Sequence, residues 1–111
     1  MKIDKELVGA STTILVLSTL AREATYGYRL LRAVNEKAEG LFTWQEGTLY
    51  PILHKLEKDG LVEAEWRQAD TGRRRKYYQV TDKGREALSE GVSQWNQWHE
   101  MVLRFAEVGN G

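Results

Sequence analysis

Apolar residues recur at the spacing of an α-helix in three successive segments of the first half of the chain. The first runs from Leu7 to about Glu23, the second from about Tyr26 to Gly40, and the third from about Gln45 to Asp59. In the third, four apolar residues follow the i, i+3, i+4, i+7 spacing of one buried face: Leu49, Ile52, Leu53 and Leu56. The pattern predicts three helices around one core, with a polar outer face on the third.

The pattern then changes to a period of two, which is typical of a half-buried β-strand. Val62, Ala64 and Trp66 alternate with charged residues. The segment Arg75–Val80 is rich in aromatic and branched residues and is the predicted returning strand. Between the two strands, residues 70–72 (DTG) supply turn chemistry. The sequence therefore predicts a β-hairpin directly after the third helix.

A last helix is expected from a cap at Thr81 or Asp82 to about Val108. It carries two apolar stripes. The first follows alternating steps of four and three, as in a coiled-coil seam: Leu88, Val92, Trp95, His99, Val102 and Ala106. The second lies beside it: Trp98, Met101 and Phe105. The rest of the domain can cover one stripe, so a second copy of the chain is the expected cover for the other, and we predict a homodimer.

These elements in this order predict a mainly α fold with a two-stranded β-wing, namely a winged helix-turn-helix followed by a C-terminal dimerisation helix. The DNA-binding domain is predicted over residues 1–81 and the dimerisation helix over residues 82–111, within one compact unit. The 111 residues have room for one core of ordinary size. In this architecture the third helix enters the major groove, which is about 12 Å wide, and the hairpin reaches phosphates or a minor groove.

The net charge of the chain is zero, but the charges are unevenly placed. The segment from Arg67 to Arg85 holds seven basic residues against two acidic ones, whereas the segment from Glu86 onward has an excess of acidic residues. Four of the basic residues are consecutive: Arg73, Arg74, Arg75 and Lys76. Positive charge concentrated at a hairpin is the expected footprint of a phosphate backbone.

Composition argues against other classes of protein. The chain has no cysteine, and its two histidines, His54 and His99, show neither metal-ligand spacing nor a nucleophile to activate. We therefore expect no enzyme activity, no cofactor and no metal. The uncharged run from Leu7 to Ala21 is shorter than the roughly 20 apolar residues that span a bilayer. A buried helix in a cytoplasmic protein without a membrane partner is the resulting prediction.

Five short motifs, in this order and spacing, resemble those of the PadR family of bacterial transcriptional regulators. They are YGY at 26–28, EGTLYP at 46–51, LEKDGL at 56–61, GRRRKYY at 72–78 and TDKG at 81–84. The resemblance covers nearly the whole chain, and the single C-terminal helix is similar to that of the short, LmrR-like subfamily. It implies a dimeric repressor that binds double-stranded DNA at a palindromic operator and that a small ligand releases.

The expected DNA contacts fall in three places. The outer face of the third helix addresses the major groove through Thr48, Tyr50, His54 and Lys55. The hairpin contacts phosphates or a minor groove through Arg73, Arg74, Arg75 and Lys76. Tyr26, at the start of the second helix, contacts the DNA backbone. An ordinary solvent-exposed surface is the alternative for the hairpin and for the third helix. The alternative function is a winged-helix module that binds a protein, which salt-dependent retention on a heparin or DNA column would distinguish.

The resemblance also implies a ligand pocket at the dimer interface, where a tryptophan from each last helix stacks on a planar aromatic compound. Trp95 occupies the matching position. The implied lining comes from the first and last helices: Leu7, Ile14, Ser18, Val92, Trp95 and His99. His99 stands where the subfamily has a carboxylate, so the resemblance does not imply a preference for cationic drugs. Where the subfamily has a phenylalanine, this chain has the smaller Val92. Simple packing of the dimer is the alternative role of Trp95.

Overall fold

The computed structural model describes residues 2–68 and 71–107. Along these ranges the elements are α1 (Lys5–Ala10), α2 (Thr12–Arg22), β1 (Thr25–Tyr26), α3 (Gly27–Ala38), α4 (Glu46–Lys58), β2 (Val62–Gln68), β3 (Arg74–Val80) and α5 (Asp82–Glu107). They confirm the predicted fold class, a mainly helical chain with a small antiparallel wing and a long C-terminal helix. The predicted turn residue Asp70 and the predicted helix end at Val108 lie outside the described residues.

The first predicted helix is interrupted at Ser11 and so forms two helices, α1 and α2. At the interruption the Ser11 hydroxyl donates to the Leu7 carbonyl at 3.4 Å, and the Thr12 hydroxyl donates to the Gly9 carbonyl at 3.2 Å. Such side-chain bonds give the backbone an alternative to its regular helical bonds. The prediction of one continuous helix is wrong at this point.

The apolar faces of α2, α3 and α4 meet in one core. Its largest fully buried side chains are Leu17, Leu30, Leu49, Leu53, Val16 and Val62. The turn between α3 and α4 is held by Asn35, whose amide donates to the Trp44 carbonyl at 2.9 Å and whose side-chain oxygen accepts the Trp44 N–H at 2.8 Å. Because the Trp44 side chain is itself buried, the geometry of this helix-turn-helix is fixed by both polar and apolar contacts.

The hairpin of β2 and β3 is antiparallel, with Val62 opposite Val80 at its base and Gln68 opposite Arg74 near its tip. The short strand β1 pairs with the other edge of β3, which gives the sheet order β1-β3-β2. The sequence did not predict β1, because a strand of two residues is too short to show a period. The wing therefore has a third strand in addition to the two predicted ones.

Alternate residues of the sheet point to its two faces. One face is turned toward the core and holds Val62, Tyr78 and Val80, which are buried. Trp66 lies on the same face nearer the hairpin tip, yet it is 59% exposed. The predicted alternation places Trp66 on the correct face, but its side chain is not buried, because the hairpin extends past the edge of the core and leaves this face open near the tip.

The start of α5 is bonded to the chain that follows α4. The Thr81 hydroxyl donates to the Gly60 carbonyl at 2.7 Å and accepts the Gly84 backbone N–H at 3.0 Å. Gly60, with φ of 76°, adopts the left-handed conformation just after α4. Gly84 is buried, and a Cβ at this position would overlap the Leu61 carbonyl oxygen. These contacts fix the direction in which α5 leaves the wing.

The first turns of α5 pack on the core through Ala87 and Leu88, and Gly91 lies against Ile14 of α2. Farther along, large apolar side chains are exposed: Val92, Trp95, Trp98, Val102, Leu103 and Phe105. In a single chain α5 therefore has an uncovered apolar surface. Within residues 2–68 and 71–107, no helix combines the length and the apolar character that crossing a bilayer requires.

Candidate nucleic-acid interface

A cleft of about 690 Å³ lies between the outer face of α4 and the hairpin of β2 and β3. It is lined by Tyr26, Gly27, Tyr28, Glu46, Tyr50, His54, Trp66, Arg73, Arg74, Arg75, Lys76 and Tyr78. We call it the wing cleft. Seven of the nine residues predicted to contact DNA line it, although they come from three separate parts of the sequence. The fold thus brings the basic hairpin beside the helix that was expected to enter the major groove.

The other two predicted DNA contacts, Thr48 and Lys55, lie outside the wing cleft. Thr48 is exposed in the first turn of α4, where it lines a depression shared with α1. Lys55 is exposed, and its ammonium lies 3.5 Å from the Asp59 carboxylate. Both side chains are open to solvent on α4, so their contact with DNA stays a prediction.

A glycine sets the position of Tyr50 in the wing cleft. The Tyr50 hydroxyl lies so close to Gly27 that a Cβ on this glycine would stand 2.5 Å from it. The absence of a side chain at Gly27 therefore lets the Tyr50 ring lie against the start of α3. As a result Tyr50 is half-buried, whereas His54, one turn farther along α4, is exposed.

The arginines of the hairpin point to two sides. The Arg74 guanidinium carbon lies 5.4 Å from the Trp66 ring centre, on the face of the sheet turned toward the core. The Arg75 guanidinium carbon lies 4.3 Å from the Tyr26 ring centre, on the other face. Arg73 is exposed just before β3. The hairpin therefore presents positive charge on both of its faces, and each of the two stacked guanidiniums is held by an aromatic ring.

Lys76 joins the hairpin to α4. Its ammonium lies 3.4 Å from the Glu57 carboxylate of α4 and 5.4 Å from the Tyr78 ring centre. Burial lowers the pKa of Lys76, but attraction to Tyr78 and Glu57 outweighs it, so the pKa lies above the ordinary 10.5. Burial also raises the pKa of Tyr78 above its ordinary 10.0. At neutral pH Lys76 is therefore charged and paired with Glu57. In the predicted contact with DNA, its ammonium would be shared between Glu57 and a phosphate.

Tyr28, Glu46 and Trp66 are among the lining residues that the sequence did not predict. Tyr28 is exposed and belongs to the YGY motif, which was the available signal for it. Glu46 is the first residue of α4 and brings a carboxylate to the wing cleft. Trp66 had been placed toward the core by the alternation of β2. Its exposure depends on where the core ends, which the sequence pattern does not show.

Comparison with known proteins agrees with this geometry. The model of the Transcriptional regulator PadR-like family matches residues 16–90, from within α2 through β3 to the first turns of α5. This chain belongs to that family. The transcriptional regulator Rv3488 of Mycobacterium tuberculosis is 36% identical to this PadR-like chain over 86 residues, which are 78% of this chain and 77% of the relative.

Solved structures of PadR-family regulators resemble this PadR-like chain in fold. A PadR family transcriptional regulator from Eggerthella lenta superposes with a TM-score of 0.82 and 35% identity, covering 92% of this chain and 87% of that one. A PadR-like transcriptional regulator from Bacillus cereus superposes with a TM-score of 0.80 and 29% identity, covering 93% and 98%. The chain is therefore a DNA-binding transcriptional regulator of the repressor type, and the expectation that it is not an enzyme is confirmed by its family.

The PadR-like chain has a second, apolar cleft of about 540 Å³ bordered by α1, α2, α3 and α5. We call it the α5 cleft. Of the six residues predicted to surround a ligand, three line it: Leu7, Ser18 and Trp95. Two basic residues, Arg22 and Lys37, also line it. Three of the predicted ligand residues therefore share one cleft, to which α3 also contributes a wall, and their contact with a ligand stays a prediction.

The other three predicted ligand residues of the PadR-like chain lie elsewhere on the surface of α2 and α5. Ile14 packs against Gly91. Val92 and His99 are exposed on α5, and the His99 ring stacks on Trp95 with 5.2 Å between ring centres and 14° between planes. The structure of one chain therefore leaves Val92 and His99 outside the α5 cleft, and their contact with a ligand stays a prediction.

Proposed function

We propose that this PadR-like regulator is a cytoplasmic, dimeric repressor that binds a palindromic operator. It releases the operator when a planar aromatic compound binds near Trp95. The wing cleft is the observation that carries the DNA part. In it, Tyr50 and His54 of α4 lie beside the basic residues 73–76 of the hairpin. A polar helix face that reads base edges, with basic groups beside it that hold phosphates, is what sequence-specific binding requires.

The roles within this interface differ with exposure. Thr48, His54 and Lys55 are exposed on α4 and are proposed to address base edges in the major groove. Arg73 and Arg74 are exposed on the hairpin and are proposed to contact phosphates or the minor groove. Such contacts position the protein on the duplex, whereas the base contacts give specificity.

The proposed dimer depends on α5. The apolar residues exposed between Val92 and Phe105 form a surface of the kind that marks an interaction site. A second copy of the chain is the proposed cover for this surface because the charges are complementary. Glu100 and Glu107 lie along this part of α5, whereas Arg22 and Lys37 line the α5 cleft. The second half of α5 from one copy would then pack against the α5 cleft of the other.

The proposed ligand site depends on Trp95, which is 44% exposed and lines the α5 cleft. A two-fold axis that passes close to Trp95 would bring the Trp95 rings of the two copies near each other. Two indole faces form a flat apolar slot, and aromatic stacking adds about 0.5–1.5 kcal/mol beyond the burial of area. The His99 ring stacks on one face of the Trp95 indole, so the ligand is proposed to stack on the other face.

Binding-site selection from random duplex DNA, followed by titration of the selected duplex, tests the DNA part of the proposal. We expect a palindromic site bound by two chains, because dimers of this type engage two half-sites about one helical turn apart. Sedimentation of the protein alone at micromolar concentration should show the dimer. A monomer that selects no sequence would contradict the proposal.

Calorimetry with a planar aromatic dye tests the ligand part. Wild-type protein should bind the dye, and Trp95→Ala should lose most of this affinity while remaining a folded dimer that binds the operator. If Trp95 serves only to pack the dimer, the variant should instead lose dimer stability, and neither protein should bind the dye. That result would leave the DNA part of the proposal intact.

A further inference from the structure

The hairpin leaves the large aromatic side chain of Trp66 exposed where it extends past the edge of the core. Trp66 lies opposite Lys76 in the register of β2 and β3, so the two side chains share one face of the sheet. Lys76 reaches Glu57 of α4 from this face, which shows that the face is turned toward α4. The Trp66 indole is therefore directed into the wing cleft, where it remains 59% exposed.

The surroundings of Trp66 combine an apolar ring with positive charge. The Arg74 guanidinium lies over its indole, and Arg73, Arg75 and Lys76 line the same cleft. A partner that fits this surface must offer negative charge and an apolar face close together. The sugar–phosphate backbone of DNA has both, because each deoxyribose presents C–H groups between two phosphates.

We propose that Trp66 is a DNA-binding residue, whose indole packs on a deoxyribose at the edge of the minor groove and holds Arg74 against the adjacent phosphate. The indole N–H is a donor that can also reach a phosphate oxygen. A cation–π pair strengthens when water is removed from it, so DNA that covers the ring also strengthens the hold on Arg74. This role rests on the proposed use of the wing cleft for DNA, and it adds an apolar contact to the charged ones.

Replacement of the indole tests the contact. Trp66→Ala should weaken binding to the selected operator about tenfold for each wing, and hence about a hundredfold in a dimer, since a tenfold change in affinity corresponds to the loss of one contact of about 1.4 kcal/mol. Trp66→Phe keeps an aromatic face and should restore most of the affinity. Because Trp66 is exposed, both variants should keep the unfolding midpoint of the wild type in urea.

A double-mutant cycle tests whether Trp66 acts together with Arg74. If the indole holds the guanidinium, Arg74→Ala should weaken binding less in the Trp66→Ala background than in wild type. Arg73→Ala, which removes a neighbouring charge that is not stacked on Trp66, should weaken binding by the same factor in both backgrounds. Equal effects of Arg74→Ala in both backgrounds would overturn the coupling between Trp66 and Arg74.

Intrinsic fluorescence gives an independent measurement. Addition of the operator duplex should change the tryptophan emission of the wild type, and Trp66→Phe should lose this change, although three other tryptophans continue to emit. If Trp66→Ala binds DNA as well as wild type while Arg73→Ala binds more weakly, the role of Trp66 is refuted and the wing cleft stands. If neither substitution affects DNA binding, the proposed use of the wing cleft is itself refuted.

Discussion

Alanine substitution of the exposed wing arginines should change the salt dependence of DNA binding by a calculable amount. The observed affinity of a protein for B-DNA falls with salt because each phosphate contact releases counterions, with a slope in a log–log plot of about 0.9 per phosphate. Arg73 and Arg74 are exposed at the start of β3. If each contacts one phosphate, either single substitution removes two contacts from a dimer and should flatten the slope by about 1.8.

The structure predicts a different result for Arg75. Its guanidinium is stacked on Tyr26 and its side chain is half-buried, so Arg75→Ala should flatten the slope less than either exposed arginine. Fluorescence anisotropy of a labelled operator and of a random duplex, measured over a series of salt concentrations, gives the slopes. Phosphate contacts carry little sequence information, so both duplexes should lose affinity by similar factors.

A matched control is Arg32→Ala. Arg32 is an exposed arginine of α3 that pairs with Glu36 and does not line the wing cleft, so its loss should leave the slope unchanged. Substitution of exposed side chains usually changes the free energy of unfolding by less than about 0.5 kcal/mol, so folding should not confuse the comparison. Wild-type slopes in both Arg73→Ala and Arg74→Ala would refute the assignment of phosphate contacts to the hairpin.

Two further predictions concern the stability of the fold. Gly84→Ala should lower the free energy of unfolding in urea by about 1–3 kcal/mol, because its Cβ would overlap the Leu61 carbonyl oxygen. Gly9→Ala has open space at its Cβ and should raise the free energy of unfolding by up to about 1 kcal/mol. Equal effects of the two substitutions would contradict the packing described. Because the pKa of Tyr78 is raised in the folded state, its contribution to stability is complete below pH 10.0 and is lost as the pH rises through the folded pKa. Lys76, whose pKa is raised above 10.5, acts in the same direction. The urea midpoint should therefore fall as the pH is raised through this range, and Tyr78→Phe should reduce this dependence of the midpoint on pH.

Periodicity predicted the long elements of the fold and missed the short ones. In α4, Leu49, Leu53 and Leu56 are buried as their spacing predicts, because a helix of several turns repeats the signal. The break at Ser11 depends on two side-chain hydrogen bonds and leaves the apolar pattern intact. The strand β1 forms because β3, far away in sequence, offers it an edge. The pairing of β1 is not visible in a window of neighbouring residues, and the hydrogen bonds at Ser11, although local, do not alter the apolar periodicity.

The residues that line the wing cleft were predictable by type and approximate place, but the directions of their side chains were not. A shift of one residue in the register of a hairpin exchanges its two faces, so the sequence alone does not tell which of Arg74 and Arg75 points toward α4. The register observed here puts Arg74 beside Trp66 and puts Arg75 beside Tyr26. The contact of Lys76 with α4 also depends on this register and on the approach of two elements that are distant in the chain.

The way α5 leaves the wing predicts how the proposed ligand would weaken operator binding. Thr81 and Gly84 fix the start of α5 to the chain after α4, and Trp95 lies about 20 Å farther along the helix at 1.5 Å per residue. A ligand that tilts α5 at Trp95 therefore moves the attached wing and recognition helix, which changes the distance between the two recognition helices of the proposed dimer. We expect the ligand to shift the preferred spacing of the half-sites without blocking the wing cleft. Anisotropy with operators whose spacer is lengthened or shortened by one base pair, with and without the dye, measures this shift; an equal loss of affinity at every spacing would show that the ligand acts in another way.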